Sequence, residues 1–431
     1  MRLLHLSFAL CVGLASSARA EVLVRWDADR VPAMDALGIH ALLIPIDRLE
    51  TIRDAAGKGY RVYVEVDAGS AEARSVPPMA AGGVVIRGTA TDAQIRRLRA
   101  QLAAPGTRLI TLDERGKWPH VRLNEVTKRN DVLQVASRTA QPWLENNGAL
   151  VSIANLSGRP DVFLAYPWTP LTASDVDEGP ALEHYLLAIA EAGSTGASLV
   201  LPLHTRFQQA LLQGRPEARR DWAAIRAALE FHAWDAPRQF EPVASVGVVS
   251  IEPFAAYEML NLLTRHNVSY TIVRPADLVA RGEGALPLLI VADEPGPEAA
   301  RVLADLEARG VTVLRAEAPL ADPNAFAMDV RNRLGPERRF VDIWNGITVL
   351  VSARRDPADG TVLLSLVNYA HDGRPVQVRV RGTFSAVEFE SPEQEAMLVP
   401  FTHRGGGTEF VLPNLRVGGR VFLRPETRAL R

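Results

Sequence analysis

Two adjacent acids, Asp113 and Glu114, close an apolar run, Leu109-Ile110-Thr111-Leu112, and open a long stretch without clear periodicity. Loops of more than about 12–15 residues inside a compact domain are usually functional or disordered. This one carries Trp118, His120 and the pair Asn124-Glu125, too aromatic for a plain linker. Paired carboxylates are what glycosidic cleavage needs, one to give a proton and one to attack or to activate water. Neighbours leaving a strand point in opposite directions, so one of Asp113 and Glu114 faces a site, and Asp113 is favoured. Glu125 is the second candidate acid. Pro142 reads as the first turn of a helix over 141–156, which places Glu145 near its start, where the helix dipole already favours an acid. Trp118 and Trp143 are aromatic platforms for a sugar ring, with His120 and Asn147 as polar contacts.

These residues need a frame. Short apolar runs at 22–26, 41–45, 61–66, 83–87, 109–112, 162–165 and 198–201 alternate with helical stretches such as 91–102, 180–192 and 221–232. Apolar strands separated by helices mean a parallel sheet covered on both faces. The expected fold is α/β, a TIM-like (β/α)8 barrel, whose eighth strand is either missing or hidden near 132–135. Function in such barrels gathers at the C-terminal strand ends. There the chain offers Asp27 and Asp29, then Asp47, then Glu65 or Asp67, then Arg87, the Asp113-Glu114 pair, Tyr166 with Trp168, and His204. Of these, Asp67, Glu114, Tyr166, Trp168 and His204 are read as substrate contacts.

The chain has 431 residues, 47% hydrophobic and 23% charged, with net charge −2. That is an ordinary globular balance with no basic footprint for nucleic acid. Residues 1–20 read as a secretory signal: Arg2, a short apolar run, and Ala18-Arg19-Ala20 as a cleavage site. The expected location is secreted or periplasmic, with no membrane span after cleavage. The single cysteine, Cys11, lies in that segment, so the chain from Glu21 has neither zinc-type cysteine spacing nor a thiol nucleophile. His184 has Ala188 one turn on and cannot begin a helical metal site. Neither metal nor cofactor is expected.

Beyond a Pro-rich linker at 235–242 a second α/β unit spans 244–330, without a glycine-rich phosphate loop. From 340 to 431 the pattern changes to strict alternation with Asp359-Gly360 and Asp372-Gly373 turns, the mark of a β-sandwich. The expected domains are therefore a barrel over 21–235, a flavodoxin-like unit over 244–330 and a sandwich over 340–431. Val246-Gly-Val-Val-Ser250, a helix, and Asn267-Val-Ser-Tyr-Thr-Ile-Val-Arg-Pro275 resemble the start of the middle domain of the family 42 β-galactosidases. The segment 362–369, Arg381-Gly382 and Ser391-Pro392 are similar to the C-terminal sandwich of many glycosidases. The resemblance implies a barrel, a glutamine amidotransferase-like domain and a sandwich, with homo-oligomers formed through the middle domain. The family's acid/base follows an Asn at the fourth strand end; here Asn124-Glu125 follows the fifth, and the seventh strand ends in Leu203-His204 without a carboxylate. No catalytic residue carries over. The expectation is a glycoside hydrolase-like protein acting on oligo- or polysaccharides, or a carbohydrate-binding or scaffold protein on a degenerate barrel.

Overall fold

The computed structural model describes residues 20–70, 76–102, 107–112, 120–122, 125–129, 132–136, 143–145, 147–156, 162–168, 173–232, 240–281, 286–316, 320, 323–346, 348–370 and 373–426. Five parallel strands come first: β1 (Val22–Arg25), β2 (Ala41–Pro45), β3 (Arg61–Asp67), β4 (Gly83–Arg87) and β5 (Arg108–Thr111). Four short strands follow, β6 (His120–Arg122), β7 (Glu125–Arg129), β8 (Val132–Ala136) and β9 (Trp143–Glu145), then β10 (Phe163–Ala165) and β11 (Ser198–Pro202). The large sheet runs β10-β11-β1-β2-β3-β4-β5, all parallel, so it curls into a nearly closed seven-stranded barrel whose open seam lies between β5 and β10. Helices α1 (Met34–Leu37), α2 (Leu49–Gly57), α3 (Asp92–Gln101), α4 (Gly148–Leu156), α5 (Ala173–Glu178), α6 (Leu182–Thr195), α7 (Thr205–Leu212) and α8 (Pro216–His232) belong to this half of the chain.

Strand parity decides what fills the barrel. One apolar cluster, Leu23, Leu43, Tyr63, Val85, Ile110, Phe163 and Val200 with Ala41, draws only on strands and forms the interior. Val24, Leu42, Val62, Val64, Val84, Leu164 and Leu201, of the other parity, pack against helix residues such as Ile52, Leu98, Leu187 and Trp222. Two residues below the interior layer lie Glu21 and Arg61. Glu21 accepts from Arg108 at 2.5 Å and from the Tyr63 hydroxyl at 2.7 Å, and so closes the N-terminal end. Two residues above it lie Arg25, Glu65 and Arg87, at the C-terminal end. The interior is thus an apolar layer between two charged ones.

The sequence-based expectation differs from the fold at three places. The segment 132–135 is not an eighth barrel strand: β8 pairs antiparallel with β7, as a hairpin outside the parallel sheet. The residues around Trp143 and Glu145 do not begin a helix; β9 pairs antiparallel with β6, and α4 starts at Gly148. A cross-strand ladder satisfies the same backbone groups that a helix would, and pairing outweighs the weak first-turn signal of Pro142. Glu241–Pro242, read as linker, is β12, an edge strand paired with β18 (Val349–Arg355) of the last sheet.

The middle unit contains β13 (Val246–Val249), α9 (Tyr257–Arg265), β14 (Tyr270–Val273), α10 (Pro275–Arg281), β15 (Leu288–Val291), α11 (Pro297–Ala308), β16 (Thr312–Arg315) and α12 (Pro323–Arg338). Its four parallel strands run β14-β13-β15-β16, the doubly wound order. At the switch point between β13 and β15 the Asp293 carboxylate accepts from the backbone N–H groups of Ile251 and Glu252 and from the Ser250 hydroxyl. An internal anion holds the amides that face this crevice.

The last part forms two antiparallel sheets over one core. The remaining strands are β17 (Val341–Ile343), β19 (Val362–Asn368), β20 (Arg374–Arg381), β21 (Phe384–Ser391), β22 (Gln394–Leu398), β23 (Phe401–Arg404), β24 (Gly407–Leu415) and β25 (Gly418–Pro425). One sheet is β12-β18-β19-β25-β21-β22 and the other β17-β20-β24-β23. Val349, Leu364, Phe389 and Val421 of the first meet Val341, Val378, Phe410 and Leu412 of the second. Asn267, at φ 55°, ties the middle unit to the exposed flank of β18, donating to the Val349 carbonyl and accepting from the Val351 N–H, both at 2.9 Å. Its amide replaces a missing strand.

Candidate functional site at the barrel mouth

Arg25, Glu65 and Arg87 share the interior parity, so β1, β3 and β4 deliver them to one opening. Asp27 and Asp67 continue the same rows. The five form an alternating chain. Arg25 contacts Asp27 with one amino group and Glu65 through Nε at 2.5 Å; Arg87 reaches Glu65 at 3.4 Å and Asp67 at 3.4 Å. Glu65 is 6% exposed, while Asp67 is 56% exposed and Arg87 52%. Between β1 and β3, β2 contributes Pro45, which has no polar side chain, and the gap opens into a cavity of about 300 Å³ bordered also by Ile46, Asp47 and Arg48.

Asp27 is set by its loop. Gln208 of α7, fully buried, accepts from the Asp27 and Ala28 N–H groups at 2.8 and 2.9 Å and donates to the Leu203 carbonyl at 2.7 Å. Thr51 and Asp54 of α2 hold the residues that follow, bonding the Ala28 carbonyl and the Val31 N–H. Burial raises the Asp27 carboxyl above the usual range; Arg25 opposes this and Glu65 adds to it. The Asp27 carboxyl thus shares Arg25 with Glu65, which Arg87 also contacts.

The expected site residues are distributed differently. Asp67 lies at this mouth. Asp113, Glu114 and Trp118 fall outside the described residues. His120, Glu125, Trp143 and Glu145 lie on β6, β7 and β9, where the described structure is the backbone alone. Asn147 and Tyr166 are fully buried beside Glu191 of α6, in the outer layer of the barrel and not at its mouth. Trp168 packs edge-on against His204 at 5.9 Å, and the His204 Nε2 lies 3.1 Å from the Val176 carbonyl oxygen. His204 borders a different cavity, of about 370 Å³, between α6, α7 and α8. Asp27 and Glu65 stand among the strand-end acids of the sequence but not among its chosen contacts. The signal that selects them is alternation: Leu23, Arg25, Asp27 and Tyr63, Glu65, Asp67 keep one parity. Nothing local marks Gln208.

Among the described residues no group of three or more His, Cys, Asp or Glu side chains is arranged to hold a metal ion, and no helix is long and apolar enough to cross a membrane.

The described residues thus form a nearly closed parallel barrel followed by a four-stranded parallel sheet and two antiparallel sheets, with acids at the C-terminal strand ends of the barrel. The chain matches no protein-family model and no curated protein. Among solved structures, α-L-fucosidase isoenzyme 2 from Paenibacillus thiaminolyticus is similar over 95% of this chain and 100% of its own, with TM-score 0.58 and 10% identity. A rhamnosidase from Novosphingobium sp. PP1Y covers 90% of this chain and 39% of its own, with TM-score 0.42 and 15% identity. A β-galactosidase from Rahnella sp. R3 covers 86% of this chain and 67% of its own, with TM-score 0.31 and 7% identity. The first of these shows the shared fold.

Proposed function

We propose that the protein is an exported glycoside hydrolase acting on oligo- or polysaccharides at the barrel mouth. The observation that carries this reading is the Asp27–Arg25–Glu65–Arg87–Asp67 chain around an open cavity. Asp27 supplies the proton to the leaving oxygen, Glu65 is the paired carboxylate, and Arg87 with Asp67 binds sugar hydroxyls. Asp113, Glu125 and Glu145, with Trp118 and Trp143, in the stretch that follows β5, remain the sequence's own candidates for further site residues. The order of barrel, α/β unit and sandwich resembles that of the family 42 β-galactosidases, and assembly through the middle unit is part of the same proposal. A second reading has an observation of its own: Glu65 and Asp27 already share Arg25, which favours carbohydrate binding without cleavage.

A panel of chromogenic glycosides distinguishes the two. Turnover that falls by about 10²-fold or more in Asp27→Asn and in Glu65→Gln, with an unchanged melting temperature for Asp27→Asn, is expected for the enzyme. Binding of oligosaccharides with no turnover of any glycoside identifies the binding protein; neither turnover nor binding sinks both. Export carries its own test. N-terminal sequencing of the protein from an expressing bacterium is expected to begin at Glu21, and a chain that retains residues 1–20 in the soluble cytoplasmic fraction contradicts it.

A further inference from the structure

A second cleft lies far along the chain from the mouth, where the C-terminal end of α9 and the middle of α12 meet the turn after β17. It measures about 280 Å³ and is bordered by Arg265, His266, Met328, Arg331 and Trp344. Trp344 is 50% exposed and Met328 45% exposed, an apolar pair left open to water. The turn that carries Trp344 is nevertheless locked. Its N–H donates to the Gln377 carbonyl, and Asn345 donates to the Pro375 carbonyl at 3.0 Å and accepts from the Gln377 N–H at 2.7 Å. A half-exposed indole on a fixed turn is a preorganised plate, which loses little freedom on stacking.

The polar side of the cleft is cationic. Arg331 is held by the His266 carbonyl at 3.2 Å and by the buried Asp342 at 3.5 Å, and Arg265 stands beside it. His266 is 6% exposed, its Nδ1 has no hydrogen-bond partner among the described residues, and burial with the two arginines holds the ring neutral. The cleft therefore presents an apolar face and two guanidinium groups.

We propose that this cleft binds a uronic acid residue of an acidic polysaccharide, with the sugar ring on Trp344 and its carboxylate on the guanidinium groups. The inference deepens the carbohydrate reading by naming an acidic sugar at a site separate from the mouth. A pyranose ring has an apolar face that stacks on indole, and a carboxylate matches the planar fork of arginine.

Calorimetry on the full chain tests it with a galacturonate oligomer and a neutral galactose oligomer of equal length. The acidic oligomer is expected to bind, more weakly as salt rises, with affinity reduced at least about tenfold in Trp344→Ala and in Arg265→Gln and retained in Trp344→Phe. Unchanged affinity in Trp344→Ala overturns the proposal, as does equal binding of the neutral oligomer or no binding of the acidic one. Asp27→Asn separates this site from the mouth. Acidic-oligomer binding that survives Asp27→Asn supports the cleft whether or not the mouth cleaves glycosides. Binding lost in Asp27→Asn and kept in Trp344→Ala places the ligand at the mouth and overturns the cleft.

Discussion

Glu191→Gln is expected to remove the fall in stability expected of the wild-type protein as pH rises from 6.5 to 8. Glu191 of α6 is 1% exposed and sits where the barrel meets the sandwich. It accepts from the Asn147 N–H at 2.5 Å and from the Tyr369 hydroxyl, beyond the end of β19, at 3.0 Å, with Tyr166 close by. Burial raises its pKa from 4.5 to about 8, against the opposing effect of these donors. The folded state therefore holds a proton that the unfolded state releases above pH 4.5. The stabilisation is complete below that value and is lost as pH approaches 8, by roughly 4 kcal/mol across the window.

His232, at the end of α8 and against Gly193 and Gly418 of the same junction, acts in the opposite sense. Burial, aided by Arg420, lowers its pKa from 6.5 to about 3, so its contribution is present above 6.5 and lost as pH falls. His266, which burial and Arg331 lower to about 4, adds a second rising slope over 4.5 to 6.5. With two rising slopes against one falling slope, urea titrations at half-unit intervals are expected to show a net rise there and a decline above it. In Glu191→Gln the decline above pH 6.5 should flatten, while Glu191→Ala, which strands the Asn147 N–H and the Tyr369 hydroxyl, should be destabilised at every pH. A wild-type profile that is flat from pH 6.5 to 8 would contradict the assignment.

Phe163→Ala is expected to cost roughly 3–5 kcal/mol, among the larger effects of any single truncation in the barrel. Phe163 is 1% exposed and belongs to the interior apolar layer. It is carried by β10, a strand of three residues that among the described residues pairs with β11 alone. The Arg108 guanidinium lies 5.4 Å from its ring centroid, so the ring also faces the polar layer below. With so short a ladder, β10 depends on its side chains, and the space left by the ring adjoins the seam, where among the described residues no second strand pairs with β10. Phe163→Leu keeps most of the volume and should cost less than about 2 kcal/mol. Chemical denaturation checks both; a loss under about 1 kcal/mol in Phe163→Ala would mean that the interior relaxes around it.

Much of the barrel was legible because its strands are near-continuous apolar runs broken by helices. All seven expected strands form, and their ends do lie on one rim. The number of strands was not legible, because closure depends on which edges pair and no residue pattern records it. The apolar run at 132–135 looked as fit for a parallel sheet as for a hairpin, and a partner a few residues away decided the matter. The expected site was drawn toward the aromatic stretch after β5, since composition is visible in a sequence and convergence is not. Asp27 and Glu65 become neighbours only once β1 and β3 flank Pro45 of β2. The buried Gln208 that fixes the Asp27 turn reaches it from 181 residues away. Asn147 and Tyr166 carried the chemistry of ligand contacts, but their position is set by Glu191, a helix residue whose acid reads as solvent-facing until the sandwich covers it.

The ladder between β1 and β11 also governs the order of assembly. Val22 pairs with Leu199 and Arg25 with Pro202, so the first strand to be made waits for almost half of the chain before its second neighbour exists. The β2 side can form early, but the barrel cannot curl shut until the residues near 200 arrive. Contacts of such span make folding slow, because a large loop must be closed before the ladder is gained. Under the export proposed above, slowness of this kind would keep the leading half threadable until the residues near 200 have been made.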